Sequence, residues 1–291
     1  MTGRIEARFT ELRKKGKKAF ITYLTAGDPD LETTARLIPS LEAAGADVIE
    51  VGVPFSDPTA DGPAIQAASQ RALLKGATLE KILAMIAALR RFSGVPIVLF
   101  GYYNPILSYG PERFAKDAAA SGVDGILVVD LPPEEADELR RHTDAAGLDF
   151  VTLIAPTTDP ARARKILRRA AGFVYYISVT GVTGTAAPDP DRIRREVERL
   201  RQATALPVAV GFGISTPEQA AIIAPLADGV VIGSALVRLI GEKREYGDLI
   251  EDVFTFADKV RRAIDGAARG TQGSEPAEAD LEFIRGRKPR A

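Results

Sequence analysis

The sequence predicts a TIM-type (β/α)8 barrel, one α/β domain over residues 1–268, on three observations. Eight short apolar runs rich in β-branched residues alternate with longer segments of helical spacing, which implies a parallel sheet with right-handed crossovers. The runs are continuously apolar rather than alternating, as strands covered on both faces require. No linker interrupts the series, and eight uninterrupted units favour a closed barrel over a doubly wound sheet.

The elements follow in order. MTGRIEARFTELRKKGKK reads as an amphipathic helix with a basic end, an extra element ahead of the first strand. It lacks the apolar stretch of a signal peptide. The strands are AFITYL (19–24), ADVIEVG (46–52), PIVLFG (96–101), GILVVDL (125–131), FVTLIA (150–155), FVYYIS (173–178), PVAVGFG (207–213) and GVVIGS (229–234). Helical spacing covers 30–44, 78–92, 111–121, 132–146, 160–170, 189–203, 216–226 and 234–265, the last broken near Gly247. A short extra helix, 63–74, lies inside the second βα connection. From about Gly270 the chain turns polar with mixed charge, so residues 269–291 are expected to form a disordered tail.

Composition excludes several function classes. With 38 basic and 39 acidic residues the net charge is −1, which supplies no field for nucleic acid or an anionic membrane. Without cysteine, disulfides, thiolate nucleophiles and zinc–thiolate sites are ruled out, and a reducing cytoplasm fits. No apolar run reaches the length of a membrane span. The sole histidine, His142, sits among charged residues of the fourth helix and is expected to face solvent, which removes histidine-based triads.

A barrel carries its site at the C-terminal strand ends. Glycines cluster after the last three strands, in SVTGVTGT (Gly181, Gly184), GFGIST (Gly211, Gly213) and IGSALV (Gly233, then Ser234). Such loops let backbone N–H groups approach an anion, and a helix starting at Ser234 aims its positive end the same way. One cluster is explained by a tight turn; three at the same end point to phosphate. No lysine or arginine lies in these motifs, so backbone amides are expected to do most of the binding.

Glu50 stands in an apolar strand and shares a face with Val48. Burial there raises a carboxyl pKa and makes a proton donor near neutral pH. The alternative is a structural glutamate paired with a buried cation, but no basic residue ends another predicted strand. Asp57 and Asp61 in SDPTADGP are both typical turn residues, and spacing does not separate them. Asp130 is expected to cap the fourth helix, and Asp28 to serve a cap or turn. Strand-end aromatics (Tyr23, Phe55, Phe100, Tyr102, Tyr103, Tyr175, Phe212) fill the core or, with Ile65 and Leu127, line an apolar pocket for a flat aromatic substrate.

EVGVPFSDPTADGPAIQ, GYYNPI, DGILVVDLPPEE, GFVYYISVTGVTG, VGFGIS and DGVVIGSA together closely resemble the tryptophan synthase alpha subunit family, in order over about residues 15–268. The resemblance implies a lyase that cleaves indole-3-glycerol phosphate to indole and glyceraldehyde 3-phosphate, a retro-aldol reaction without cofactor or metal. It implies an α2β2 assembly with a pyridoxal-phosphate-dependent β subunit that receives the indole. It places the catalytic acids on Glu50 and Asp61, the active-site tyrosine on Tyr175, and phosphate contacts on Gly184, Gly213, Gly233 and Ser234. Tyr23, Ile65, Phe100, Leu127 and Phe212 are then the expected walls of the indole pocket. Two departures bear on it: GVTGTAAPD stands where many relatives carry an arginine soon after the second glycine, and Tyr23 and Phe100 occupy wall positions that vary. A stand-alone lyase releasing free indole remains open. A non-catalytic phosphate-binding barrel that activates a partner is disfavoured, because it would need neither acid.

Overall fold

The computed structural model describes residues 3–178, 189–211, 213–243 and 248–270. The first half of the chain runs α1 (Arg4–Lys14), β1 (Ala19–Thr25), α2 (Leu31–Ala43), β2 (Val48–Gly52), α3 (Pro63–Leu74), α4 (Leu79–Leu89), β3 (Ile97–Gly101), α5 (Tyr103–Tyr109), α6 (Pro111–Ala120), β4 (Gly125–Val128) and α7 (Asp137–Ala145). The second half runs β5 (Asp149–Phe150), β6 (Thr152–Ile154), α8 (Pro160–Leu167), β7 (Val174–Ile177), α9 (Pro190–Arg201), β8 (Val208–Gly211), α10 (Pro217–Ile223), β9 (Gly229–Ile232), α11 (Ser234–Lys243) and α12 (Leu249–Gly270).

The strands are hydrogen-bonded in the order β5-β4-β3-β2-β1-β9-β8-β7-β6, every pairing parallel. The two ends of that order are successive pieces of one stretch, interrupted only at Val151. Its lower piece pairs with β4 (Ile126↔Phe150) and its upper piece with β7 (Leu153↔Tyr175). The run FVTLIA is therefore one stave with two neighbours, and it joins the predicted eight staves into a nearly closed barrel.

Alternation along each stave sorts side chains between two cores. Ile49, Val51, Ile97, Leu99, Val208 and Val210 pack outward under the helices. Val48, Val98, Tyr175, Ala209 and Val231 point inward. The N-terminal mouth is plugged by α1, whose Ile5, Phe9 and Leu12 join the interior cluster. The Phe9 and Phe173 ring centroids lie 5.7 Å apart there. Local chemistry sets the helix starts: Asp30, Thr78 and Thr216 each accept a first-turn N–H, and Asp159 accepts two beside Pro160.

An aspartate ahead of a strand recurs as a staple at this end. Asp47 accepts the Phe20 N–H at 2.7 Å, Asp124 the Ile97 N–H at 2.8 Å, and Asp228 the Val208 N–H at 2.9 Å. Asp47 also holds Arg8 of α1 at 2.6 Å and Arg261 of α12 at 2.9 Å, tying the plug and the last helix to the barrel.

Several local expectations are corrected. Residues 102–110, which carry no predicted element, hold a short helix, α5. Asp130 accepts the Tyr103 N–H at 2.7 Å, so it caps α5 rather than the helix after its own strand. That helix, α7, begins only at Asp137, after a turn through the prolines at 132 and 133. Asp28 is buried and forms a two-pronged pair with Arg71, at 2.8 and 2.7 Å, linking β1 to α3. His142 is half-buried and accepts from Arg141. Among the described residues, no helix is long and apolar enough to cross a membrane.

Replacing Asp47 with alanine strips Arg8, Arg261 and the Phe20 N–H of a shared, 1 % exposed partner. Loss of one member of such a buried ionic cluster costs about 3–5 kcal/mol. Urea unfolding of Asp47→Ala against wild type measures it; an unchanged midpoint would refute the staple's role.

Candidate active site

The upper end of the interior is a pocket floored by strand residues and rimmed by loops. β1, β3 and β7 bring in Tyr23, Phe100 and Tyr175; β2 brings Glu50, paired in register with Tyr23 and Val98. Asp61 enters from the loop after β2, Ile65 from α3, Gly213 from the loop after β8, and Gly233 and Ser234 from the junction of β9 and α11.

Two glycines make the floor possible. A Cβ at Gly52 would overlap the Tyr23 hydroxyl, and one at Gly211 would overlap that of Tyr175. Each tyrosine thus lies across the end of a neighbouring strand where only hydrogen fits. The Tyr23 ring meets Phe100 edge-on at 5.2 Å, giving an aromatic wall.

Glu50 is 1 % exposed, and neither carboxylate oxygen has a hydrogen-bond partner among the described residues. Among the described residues no buried cation faces it, which speaks against the structural-pair reading. Burial alone pushes its pKa up to about 8. Asp61 is half-buried and differs in kind. Desolvation raises it to about 6, while a hydrogen bond from the Tyr102 hydroxyl works the other way. That hydroxyl accepts the Ala60 N–H at 2.9 Å, so Tyr102 fixes the loop and the acid together. Asp57 is exposed and takes its bond from Ser56 at 2.5 Å, outside the pocket. Geometry separates two aspartates that spacing could not.

Of the residues singled out in the sequence, Glu50, Asp61, Tyr175, Tyr23, Ile65, Phe100, Gly213, Gly233 and Ser234 come together here. Leu127 does not: it is an interior side chain lining a separate small space beneath α5 with Tyr102 and Ile106. Gly184 and Phe212 lie outside the described residues. Two contributors escaped the sequence reading. Tyr102 sat unassigned among the strand-end aromatics. Arg238 lines the pocket one turn after Ser234, exposed and without an ion pair among the described residues. Its only signal was the four-residue spacing in SALVR.

At the glycine-bearing rim, Ser234 begins α11, whose free N–H groups and dipole favour an anion. Arg238 adds a side-chain cation to that field, where backbone amides were expected to supply most of the binding. Among the described residues, no group of three or more His, Cys, Asp or Glu is arranged to hold a metal ion.

Fold and pocket together define a (β/α)8 barrel with two carboxyl groups facing an aromatic-walled cavity and an anion-favouring rim. Comparison with known proteins makes this specific. The family model for the tryptophan synthase alpha chain matches residues 9–265. The chain is 55% identical over 261 residues to the tryptophan synthase alpha chain of Geobacter sulfurreducens, covering 90% of this chain and 98% of that one. The corresponding protein of Geobacter sp. (strain M21) is 53% identical over 261 residues, covering 90% and 97%. Among solved structures, the alpha subunit from Legionella pneumophila aligns with a TM-score of 0.86 at 39% identity, covering 91% of this chain and all of that one (100%). A Mycobacterium tuberculosis tryptophan synthase structure aligns at 0.82 and 34% identity, covering 91% and 99%.

The chain belongs to the tryptophan synthase alpha chain family, whose reaction is the lyase cleavage of indole-3-glycerol phosphate in tryptophan biosynthesis.

The Glu50 pKa carries a stability consequence. The folded chain keeps this proton up to about pH 8, whereas an unfolded one releases it near the ordinary 4.5. The folded state binds more protons across that window, so stability falls as pH rises through it. Glu50→Gln removes the fall, and its urea midpoint should exceed wild type by more at about pH 9 than at about pH 5. Equal differences at the two pH values would place the glutamate in a wetter setting than the structure gives it.

Proposed function

We propose that this chain carries out its family's retro-aldol cleavage with Glu50 and Asp61 as its acid–base pair and passes the indole to a β subunit. The supporting observation is an unpartnered buried carboxyl group facing a second, hydrogen-bonded one across an aromatic pocket. Breaking the side-chain bond at indole C3 first requires a proton on that carbon, which leaves positive charge on the ring nitrogen. Glu50, protonated up to about pH 8, gives that proton. Asp61, poised at about 6 and therefore mostly ionised at neutral pH, stabilises the N–H cation by accepting its hydrogen bond, and the nitrogen keeps its proton as the electrons of the broken bond return to the ring and indole forms. Glu50, ionised by the first transfer, then removes the proton from the glycerol hydroxyl as the aldehyde develops. Tyr175 packs beside Glu50 at the floor and bounds the ring. The N-terminus of α11, Gly213 and Arg238 hold the phosphate, with Gly184 expected to join them.

The partner surface follows from the same loops. The Phe55 ring packs 5.2 Å from Tyr102, which bonds Asp61, so a protein pressing on the loop after β2 acts on the catalytic acid. Leu107 on the neighbouring α5 is 52% exposed, an apolar side chain at the same rim. Residues 1–268 act as one barrel domain in a cytoplasmic αβ complex, and the segment 269–291 takes no part in catalysis.

Indole release, assayed with and without the β subunit, tests this reading. Glu50→Gln and Asp61→Asn should each lower turnover by about 10²–10⁴-fold with folding intact. Near-normal turnover in either variant would remove that acid from the mechanism. Partner addition should raise the wild-type rate; a high rate indifferent to the partner would favour the stand-alone lyase. Arg238→Met should raise KM several-fold while leaving kcat nearly unchanged, as loss of uniform binding does. An unaltered KM would return phosphate binding to the backbone alone.

A further inference from the structure

The barrel has a second opening, remote in kind from the first. β4 and the stave beside it pair only as far as Ile126↔Phe150, with one further hydrogen bond from Val151 N–H to the Ile126 carbonyl at 2.9 Å. Beyond that point the two diverge, and α7 packs mainly on α6. The gap is a cleft of about 570 Å³ between the strand ends and these two helices.

Its chemistry is asymmetric. The walls carry Leu131, Phe150 and Ile166, while Arg140, Lys165 and Arg168 supply positive charge. Acids are present but committed: Asp130 bonds the Tyr103 N–H, Glu134 pairs with Arg162, and Asp137 pairs with Arg169. Among the described residues, Arg140, Lys165 and Arg168 have no ion-pair partner.

Arg140 is the decisive group. It is 6 % exposed, its guanidinium stacks 4.0 Å from the Phe150 ring centre, and Nη1 donates to the Arg169 carbonyl at 2.6 Å. Nε and Nη2 have no hydrogen-bond partner among the described residues, and they are not sealed from solvent as Arg199 Nε and Arg261 Nε are. Burial works against its charge; Asp144 and Asp137 offset this and Arg169 opposes them. A guanidinium edge held by stacking and one carbonyl, with two donors open to a cleft, is preorganised for a bidentate oxyanion.

We propose that this cleft is a second ligand site, which takes a small organic anion with its carboxylate or phosphate on Arg140 and its apolar body against Leu131, Phe150 and Ile166. Lys165 and Arg168 attract the anion from the rim. Bound ligand would bridge the strand ends and the two helices that leave them unpaired, tightening the barrel at its open seam.

Calorimetric titration of the full chain with benzoate and with phenyl phosphate tests the proposal, with glycerol 3-phosphate saturating the barrel-mouth pocket. One site per chain is expected, weakened about tenfold or more in the double variant Lys165→Ala/Arg168→Ala and abolished in Arg140→Met. Because Arg140→Met also removes a structural contact, its circular dichroism is compared with wild type, and the double surface variant stands as the independent arm. Binding of benzoate alone assigns a carboxylate head, and of phenyl phosphate alone a phosphate head. Absence of saturable binding of either probe at millimolar concentration, or affinities unmoved by the double variant, overturns the site.

Discussion

A nearly closed ring of eight staves encloses a volume that side chains must fill, and the way this chain fills it determines everything else. From below, α1 supplies Ile5, Phe9 and Leu12 as a plug. In the middle, small residues such as Ala209 and Gly125 leave space for larger neighbours; a Cβ at Gly125 would press on the Asp149 carbonyl and on Ile5. Towards the top two tyrosines lie over two glycines, and packing stops. What remains unfilled is the pocket. The acid left in it has no hydrogen-bond partner among the described residues, so burial alone sets its proton affinity.

The two carboxyl groups show how environment gives the same chemical group different proton affinities. Glu50 sits on a stave, buried and without a hydrogen-bond partner among the described residues, and keeps its proton into the neutral range. Asp61 sits on a loop, half-wet, with a tyrosine hydroxyl bound to it, and gives its proton up sooner. The difference comes from position: a strand interior for one, a loop pinned by Tyr102 for the other. The rigid acid is available at all times, whereas the loop acid depends on what holds the loop.

Much of this was legible in the sequence. The continuous apolar runs specified buried parallel staves, and the short helix at 63–74 was readable because Pro63 and the following apolar spacing mark its start. Glu50 was conspicuous because a carboxylate in such a run has few explanations. Interactions between distant segments were not legible. Asp130 caps a helix belonging to the preceding stave, Asp28 pairs with Arg71 across the barrel rim, and the split of FVTLIA at Val151 depends on two neighbours diverging. Asp61 and Asp57 have equivalent local sequence, and only Tyr102, some forty residues further along, distinguishes them. Arg238 went unread because its place at the pocket depends on a helix's pitch rather than on a loop motif.

The pairing of β1 with β9 sets Ala19 beside Gly229. A nascent chain emerging from the ribosome therefore cannot complete the ring until nearly all of it has been made. Until then, the inner face of β1 and the apolar side of α1 wait without their final partners. The chain's first elements are thus among the last to find their place, and the pocket exists only once the ring has closed.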